Sequence, residues 1–159
     1  MAMTMRTVGL DEVMNTLARL NADAEKVAAE SLYEGAGIIA DAFANAARSI
    51  RTEPFTHKKA KRLPSPEEKA AIIGKTGIAR FDKNGSEVNT LIGVSGAAGY
   101  ANIGGKPKAV RLIARAINSG TSFMPKQPVF RKAKSTAQGP AKAAIVKKAE
   151  DMLEEIIKG

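Results

Sequence analysis

The sequence predicts an α+β domain in which a long N-terminal helix packs on a small antiparallel sheet and a further helix ends the chain. Three observations support this fold class. Apolar residues recur every three or four positions over the first fifty residues and again over the last twenty, which is the period of an amphipathic helix. Between them, two short apolar runs flank an Asn-Gly pair, a strong hairpin signal. The length of 159 residues fits one domain, 1–159.

Composition limits both the core and the chemistry. Apolar residues make up 44% of the chain, but Ala supplies much of that share and only seven residues are aromatic, so the core should be thin and aliphatic. We therefore expect neighbouring subunits to complete the packing. The absence of Cys excludes disulfides and thiolate nucleophiles. No run approaches the roughly 18 apolar residues of a membrane span, so no membrane partner is expected.

Two helices are predicted before residue 51. A short helix begins after Asp11 as its N-cap, and its apolar stripe consists of Leu10, Val13, Met14, Leu17 and Leu20. After Asn21 and Asp23, a longer helix of about seven turns carries a second stripe, formed by Ala28, Leu32, Ala36, Ile39, Phe43, Ala46 and Ile50. Gly35 and Gly37 either weaken this helix or let another backbone approach closely, and both alternatives stay open.

Residues 52–74 are predicted to form an exposed, mobile basic loop. Three prolines lie there among clustered cations, and this composition opposes regular structure. Within the segment, Pro66 to Ile73 fits a short helix, because Pro66 suits the first helical position and the two glutamates after it suit the first turn.

A hairpin is predicted next, with Asp82-Lys83-Asn84-Gly85 as the turn between strands 78–81 and 87–94. One face of this sheet should pack on the long helix. The glycines around Tyr100 indicate a loop up to Gly105. Residues 110–117, Val-Arg-Leu-Ile-Ala-Arg-Ala-Ile, fit either a strand or a helix, and we favour a strand leading into a turn at Gly120.

The C-terminal segment from Pro140 to Lys158 is predicted to be helical. Apolar residues follow a helical stripe, widened on one side, and they comprise Ile145, Val146, Ala149, Met152, Leu153, Ile156 and Ile157. Gly139 and Pro140 are expected to separate this helix from a preceding helical piece between Val129 and Ser135.

The net charge of +9 is concentrated in two central blocks. Residues 48–80 hold nine basic and three acidic side chains, and residues 105–134 hold eight basic and no acidic ones. Such asymmetry favours an anionic partner, either nucleic acid or an acidic protein surface, while a solvated basic face is the plainer alternative. The residues proposed for an anionic-partner face are Lys58, Lys59, Lys61, Arg62, Lys106, Lys108, Arg111 and Arg115.

Catalytic chemistry is not indicated. The only histidine, His57, lies beside Lys58 and Lys59, whose charges disfavour an imidazolium, and the sequence fixes no carboxylate to orient it. The carboxylates near the C-terminus fall on an exposed helix face without metal-ligand spacing. We therefore expect no catalytic site, no cofactor and no metal.

The segment Asn118 to Phe130, NSGTSFMPKQPVF, has a turn at Gly120-Thr121 and an extended stretch fixed by two prolines. Together with the opening GLDE motif at residues 9–12, the long Ala-rich helix, the hairpin and the terminal helix, it resembles the gene-product-ten-like family of head-tail connection proteins from long-tailed bacteriophages. The most specific part is the Gly-Thr pair followed by Gln127, Pro128 and Phe130, which is similar to that family's "GT, then QPF" signature. The resemblance runs from Val8 to about Ile157.

The resemblance implies a non-enzymatic structural protein of the virion, made in the bacterial host cytoplasm. It implies a neck or tail-completion ring of six subunits, in contact with the connector and with tail-tube or tail-terminator proteins. The subunit interface is hypothesised to use Phe123, Pro125, Gln127, Pro128 and Phe130, with Phe130 as the apolar anchor. The alternative for Phe130 is packing in its own core. The alternative function is a small basic nucleic-acid-binding protein, since the basic blocks suit phosphates.

Overall fold

The computed structural model describes the backbone of residues 10–54, 61–78, 82–84, 87–90, 92–94 and 99–159, and the side chains from residue 18 onward within these ranges, except those of 82–84 and 87–89. The helices are α1 (Leu10–Arg48), α2 (Pro66–Lys75), α3 (Val110–Ser119) and α4 (Val129–Lys158). The strands are β1 (Thr76–Ile78), β2 (Asp82–Asn84), β3 (Glu87–Asn89), β4 (Ile92–Val94), β5 (Tyr100–Ile103) and β6 (Lys106–Ala109). The predicted α+β class, with long helices at both ends of a small antiparallel sheet region, is confirmed.

α1 is one continuous helix of 39 residues, so the predicted division at Asn21 and Asp23 is wrong. Asp11 lies inside the helix and is not its N-cap. Asn and Asp cost only about 0.7 kcal/mol each in a helix interior relative to Ala. At Asn21 the side chain is exposed, so the helix continues through this position without burying a polar group.

α4 is also continuous, over 30 residues, with Pro140 in its interior. The predicted break at Gly139 and Pro140 is therefore wrong. Proline removes the hydrogen bond to the carbonyl of Thr136 and normally kinks a helix. Here Ala137 and Ala141, on either side of the proline, are both buried, so packing stabilises the helix across the break in its hydrogen bonds.

α1 and α4 lie side by side in antiparallel directions. Gly35 of α1 faces Ala141 and Ile145 of α4, where an added Cβ would lie 2.9 Å from the Ala141 carbonyl oxygen. Nearer the α4 start, the rings of Phe43 and Phe130 meet edge to face at 5.7 Å. Gly35 therefore provides the close backbone approach that the sequence left open, whereas Gly37 has open space around it.

The predicted hairpin is present, but its strands and turn differ from the prediction. β1 pairs with β4 and β2 pairs with β3, both antiparallel. Residues 82–84 belong to a strand and not to the turn, because Asn84 pairs with Glu87. Residues 79–81, 85–86 and 91 lie outside the described ranges. β4 lies against α1, since Phe43 is 3.8 Å from a Cβ built on Gly93, as expected for a sheet packed on the long helix.

A second hairpin was not predicted. β5 and β6 pair in antiparallel register from Tyr100↔Ala109 to Ile103↔Lys106. Gly104 and Gly105 connect them with φ values of 61° and 75°. Two successive positive φ angles are the requirement of a tight hairpin turn, which Gly meets without steric cost. The Gly-Gly pair that we interpreted as part of a loop is this turn.

α3 replaces the strand that we favoured for residues 110–117, and that prediction is wrong. Val110, Ala114 and Ile117 are buried, at the i, i+4 and i+7 spacing of one helical face. A strand would instead place Arg111 and Arg115 on the same face as Ile113 and Ile117. The helical period therefore separates apolar from charged side chains better than the strand period does.

Residues 66–74 correct the predicted loop over 52–74, because they lie in α2. The helix begins with a capping box, in which the Ser65 hydroxyl accepts a hydrogen bond from the Glu68 N–H and the Glu68 carboxylate accepts one from the Ser65 N–H. Pro66 occupies the first turn, as the composition indicated. Ile72 joins a buried aliphatic cluster, whose other members are Ala47, Ile50, Val110, Ala114, Ile117 and Met124.

Candidate assembly surfaces

The Gly-Thr turn after α3 is closed by its own hydrogen bonds. The Thr121 N–H donates to the Met124 carbonyl at 2.8 Å, and the Met124 N–H donates to the Thr121 hydroxyl at 3.0 Å. Gly120 has φ of 77°, and a Cβ there would lie 3.0 Å from the Lys126 Cβ. Both the backbone angle and the crowding favour glycine at this position. The turn is therefore shaped within the subunit, without help from a partner.

Gln127 is a structural clamp. Its side chain is buried, its Oε1 accepts from the Arg51 N–H at 2.9 Å, and its Nε2 donates to the Arg51 carbonyl at 3.2 Å. Its backbone N–H donates to the Ile117 carbonyl at 2.7 Å. One residue thus connects the chain just after α1, the end of α3 and the approach to α4. The structure uses Gln127 inside the subunit, which differs from its hypothesised place in an interface.

Phe130 also has a partner within its own subunit. Its ring meets Phe43 edge to face and packs against the buried aliphatic cluster, which is the alternative that the sequence left open. Pro128 is half-buried, whereas Pro125 is exposed and Phe123 is 54% exposed. Of the five residues hypothesised to form an interface, Phe123 and Pro125 remain available on the surface.

Two residues proposed for the anionic-partner face converge on a buried carboxylate. Arg62 donates to both oxygens of Glu68, at 2.7 and 2.8 Å, and the Lys108 Nζ lies 3.5 Å from Oε1. Glu68 is only 2% exposed. Glu68 was predicted only to suit the first turn of a helix, and its Ser-x-x-Glu spacing from Ser65 is the signal of a capping box that this prediction did not use. Arg62 and Lys108, two of the cations proposed for the anionic-partner face, therefore already have an anionic partner inside the subunit.

Opposing effects act on the pKa of Glu68. Burial raises the pKa, but the hydrogen bonds from Arg62 and from the Ser65 N–H, with the charges of Arg62 and Lys108, outweigh burial and hold the pKa below its ordinary value. The hydrogen bond to Glu68 in turn raises the pKa of Arg62, despite partial burial of the guanidinium. Both groups are therefore charged at neutral pH, and they stabilise the junction between α2 and β6.

The other proposed cations fall into two sets. Lys61, Lys106, Arg111 and Arg115 are exposed, while Lys58 and Lys59 lie outside the described residues. Arg111 and Arg115 are one turn apart on α3, and within the described part of the chain neither forms an ion pair. Leu112, between them, is 56% exposed. We call Arg111, Leu112 and Arg115 the α3 face.

A second exposed apolar surface lies near the C-terminal end of α4. Val146, Leu153 and Ile157 follow one side of the helix at i, i+7 and i+11, and Val146 and Ile157 are each more than half exposed. We call these three residues the α4 stripe. Glu150 lies one turn from both Val146 and Leu153 on the same side. The sequence predicted that these residues widen the apolar side of α4. Their exposure shows that the fold leaves this widened part uncovered.

Metal-binding groups and grooves are the features of the described residues that bear on catalysis. Among them, no group of three or more Asp, Glu or His side chains is placed to hold a metal ion. A shallow groove between α1 and α4 is lined by Ala29, Glu30, Tyr33, Glu34 and Lys148. His57 lies outside the described ranges. In the same part of the chain, no helix combines the length and hydrophobicity that crossing a membrane requires.

Comparison of the chain with protein-family models, with curated proteins and with solved structures found no match.

Proposed function

We propose that this protein is a structural component of a tailed-phage or prophage virion, which joins head to tail as a neck or tail-completion protein. It has no enzymatic role in this proposal. Copies form a ring, hexameric if the family resemblance holds, with the connector on one side and the tail-tube or tail-terminator protein on the other. The protein reaches this position in the virion after synthesis in the bacterial cytoplasm.

Exposed apolar side chains are the observation that supports an assembly role most directly. Large apolar residues are exposed both around α3 and along the far part of α4, and they include Tyr100, Leu112, Phe123, Val146 and Ile157. Single exposed apolar residues are ordinary, but grouped ones mark interaction surfaces. The buried cluster is small and aliphatic, so interfaces would add apolar burial that the monomer lacks.

Disruption of the gene in the phage or inducible prophage that encodes it tests the proposal. We expect the lysate to contain DNA-filled heads and complete tails that are not joined, as seen by electron microscopy. A plasmid copy of the gene should restore joined particles. Normal, joined and infectious particles from the disrupted strain would overturn the proposal.

The exposed cations of α3 and of the β5–β6 hairpin favour nucleic-acid binding as a second candidate. Lys106, Arg111 and Arg115 are free of acidic neighbours in sequence and exposed. Binding to phosphates by such groups weakens steeply as salt rises. Fluorescence anisotropy with labelled duplex DNA at low and moderate salt separates the candidates. Salt-sensitive binding by the purified monomer supports this function, and absence of binding at low salt excludes it.

A further inference from the structure

The two ends of the molecule carry opposite charge. Residues 99–134, which include α3 and the β5–β6 hairpin, hold eight basic and no acidic side chains, and this end stays basic although Glu67 and Glu68 of α2 contact the hairpin. At the other end, residues 18–34 of α1 and 146–158 of α4 together hold eight acidic and five basic ones. The α4 stripe lies in this acidic region, while the α3 face lies in the basic one.

The basic end and the acidic end of one copy are too far apart to interact with each other. From Val129 to Leu153, α4 advances about 36 Å at 1.5 Å per residue. The α4 start is joined to the end of α3, because the Asn118 side chain accepts a hydrogen bond from the Arg131 N–H. At physiological salt, dissolved ions screen the interaction between charges more than about 8 Å apart. Neither end therefore neutralises the other, and both remain available to a partner.

Each end also pairs its charge with exposed apolar surface. On α4, Glu150 lies between Val146 and Leu153 on the exposed side of the helix, and the three occupy successive turns. On α3, Leu112 lies between Arg111 and Arg115. An apolar stripe with a central carboxylate and an apolar residue with flanking guanidinium groups are complementary in both respects. Arginine and carboxylate form strong two-point hydrogen bonds when they meet.

We propose that copies of this chain associate head to tail, with the α4 stripe of one copy seated on the α3 face of the next. Each copy then contributes one of each surface, so the contact is heterologous and propagates into a closed ring or an open filament. This inference rests on the assembly part of the proposed function and does not depend on a place in the virion.

Two variants separate the surfaces. Leu153→Asp places a charge in the α4 stripe, and Leu112→Asp places one in the α3 face. Both positions are exposed in the monomer, so folding should be unchanged, as far-UV circular dichroism checks. Thr136→Asp is the matched control, because it adds the same charge to α4 at an exposed position outside the stripe.

Sedimentation velocity over a concentration series gives the test. We expect the natural chain and Thr136→Asp to form oligomers larger than dimers. For Leu153→Asp and for Leu112→Asp, each studied alone, the dissociation constant should rise at least tenfold. A one-to-one mixture of Leu153→Asp and Leu112→Asp should form a dimer and stop, because only one intact contact can form between them. Higher salt should weaken association of the natural chain.

Three results would overturn the inference. In the first, the natural chain remains monomeric up to millimolar concentration. In the second, Leu153→Asp and Leu112→Asp each associate as the natural chain does. In the third, the mixture of these two variants stays monomeric. The last result indicates a symmetric contact. Unjoined heads and tails in the gene-disruption experiment, together with one of these results, would leave the neck function standing and this contact excluded. Normal particles from the disrupted strain, together with the expected association, would exclude the neck function and support this contact.

Discussion

Replacement of Glu68 by Gln should destabilise the protein far more than removal of an exposed carboxylate does. Gln has nearly the same shape and still accepts the hydrogen bond from the Ser65 N–H, so the capping box survives. What is lost is the charge that Arg62 and Lys108 share. The Arg62 side chain is 17% exposed, and its guanidinium then loses the charged carboxylate to which it donates two hydrogen bonds.

The magnitude follows from the burial of this ion pair. Removal of one partner from a buried pair costs about 3–5 kcal/mol. We expect the lower end, about 3 kcal/mol, because Arg62 also donates to the Leu63 carbonyl and Lys108 can turn to solvent. For a domain of this size, 1 kcal/mol shifts Tm by about 2–4 °C, so Tm should fall by about 6–12 °C.

Glu154→Gln is the matched control, since Glu154 pairs with Lys158 at 2.9 Å while both side chains are largely exposed. Such a pair contributes about 0.5 kcal/mol or less. Urea unfolding followed by circular dichroism measures both variants against the natural chain. Equal losses in the two variants would refute the idea that burial makes the Glu68 pair important.

Acidification gives an independent check through the sign of the pKa shift. Because the pKa of Glu68 is lowered in the folded state, the stabilisation is complete above the ordinary carboxyl range and is lost as pH falls through the lowered pKa. Glu68→Gln has no group that titrates at this position. The stability gap between the natural chain and this variant should therefore narrow on acidification, and a constant gap would contradict the assignment.

Four further substitutions test the packing of the long helices and of the segment that leads into α4. Gly35→Ala should destabilise the protein by about 1–3 kcal/mol, because the new methyl group meets Ile145 and the Ala141 carbonyl. Gly37 has open space around it, so Gly37→Ala should stabilise the protein by up to about 1 kcal/mol. Shifts of the urea midpoint in the same direction for both variants would contradict the close approach at Gly35. Gln127→Ala should cost about 1–3 kcal/mol, since both backbone groups of Arg51 lose their partner, and an unchanged urea midpoint would exclude the clamp. Pro140→Ala should stabilise by up to about 3 kcal/mol, because it restores the missing helix hydrogen bond at an exposed position; a lower Tm would show that the proline is needed for the path of α4.

The elements that the sequence predicted well were those with long, regular periods. Both terminal helices follow apolar repeats of three to four residues, and Asn84 of the Asn-Gly pair lies directly before the observed chain reversal between β2 and β3. Their ends were less certain, because Asn21, Asp23 and Pro140 are local helix breakers whose modest cost is outweighed by packing along a continuous seam. α3 was mistaken because its run of eight residues contains β-branched side chains and is too short for periodicity to dominate.

Candidate surfaces were harder to predict, since exposure depends on contacts distant in sequence. Gln127 matched an interface signature, yet its amide binds Arg51, 76 residues away. Arg62 and Lys108 resembled their exposed basic neighbours until both met Glu68. Charge counts identified the basic blocks correctly, but only the fold separates the cations that are neutralised inside from those of the α3 face.

The side-by-side pairing of α1 and α4 also has a consequence for synthesis on the ribosome. Some 80 residues separate the end of α1 from the start of α4, so at about 5–20 residues per second α1 waits several seconds for its partner. Its buried residues include Ala36, Ala46 and Ala47, whose side chains carry little apolar area. These small side chains limit the apolar surface that the nascent helix exposes to aggregation or to chaperone binding during that wait.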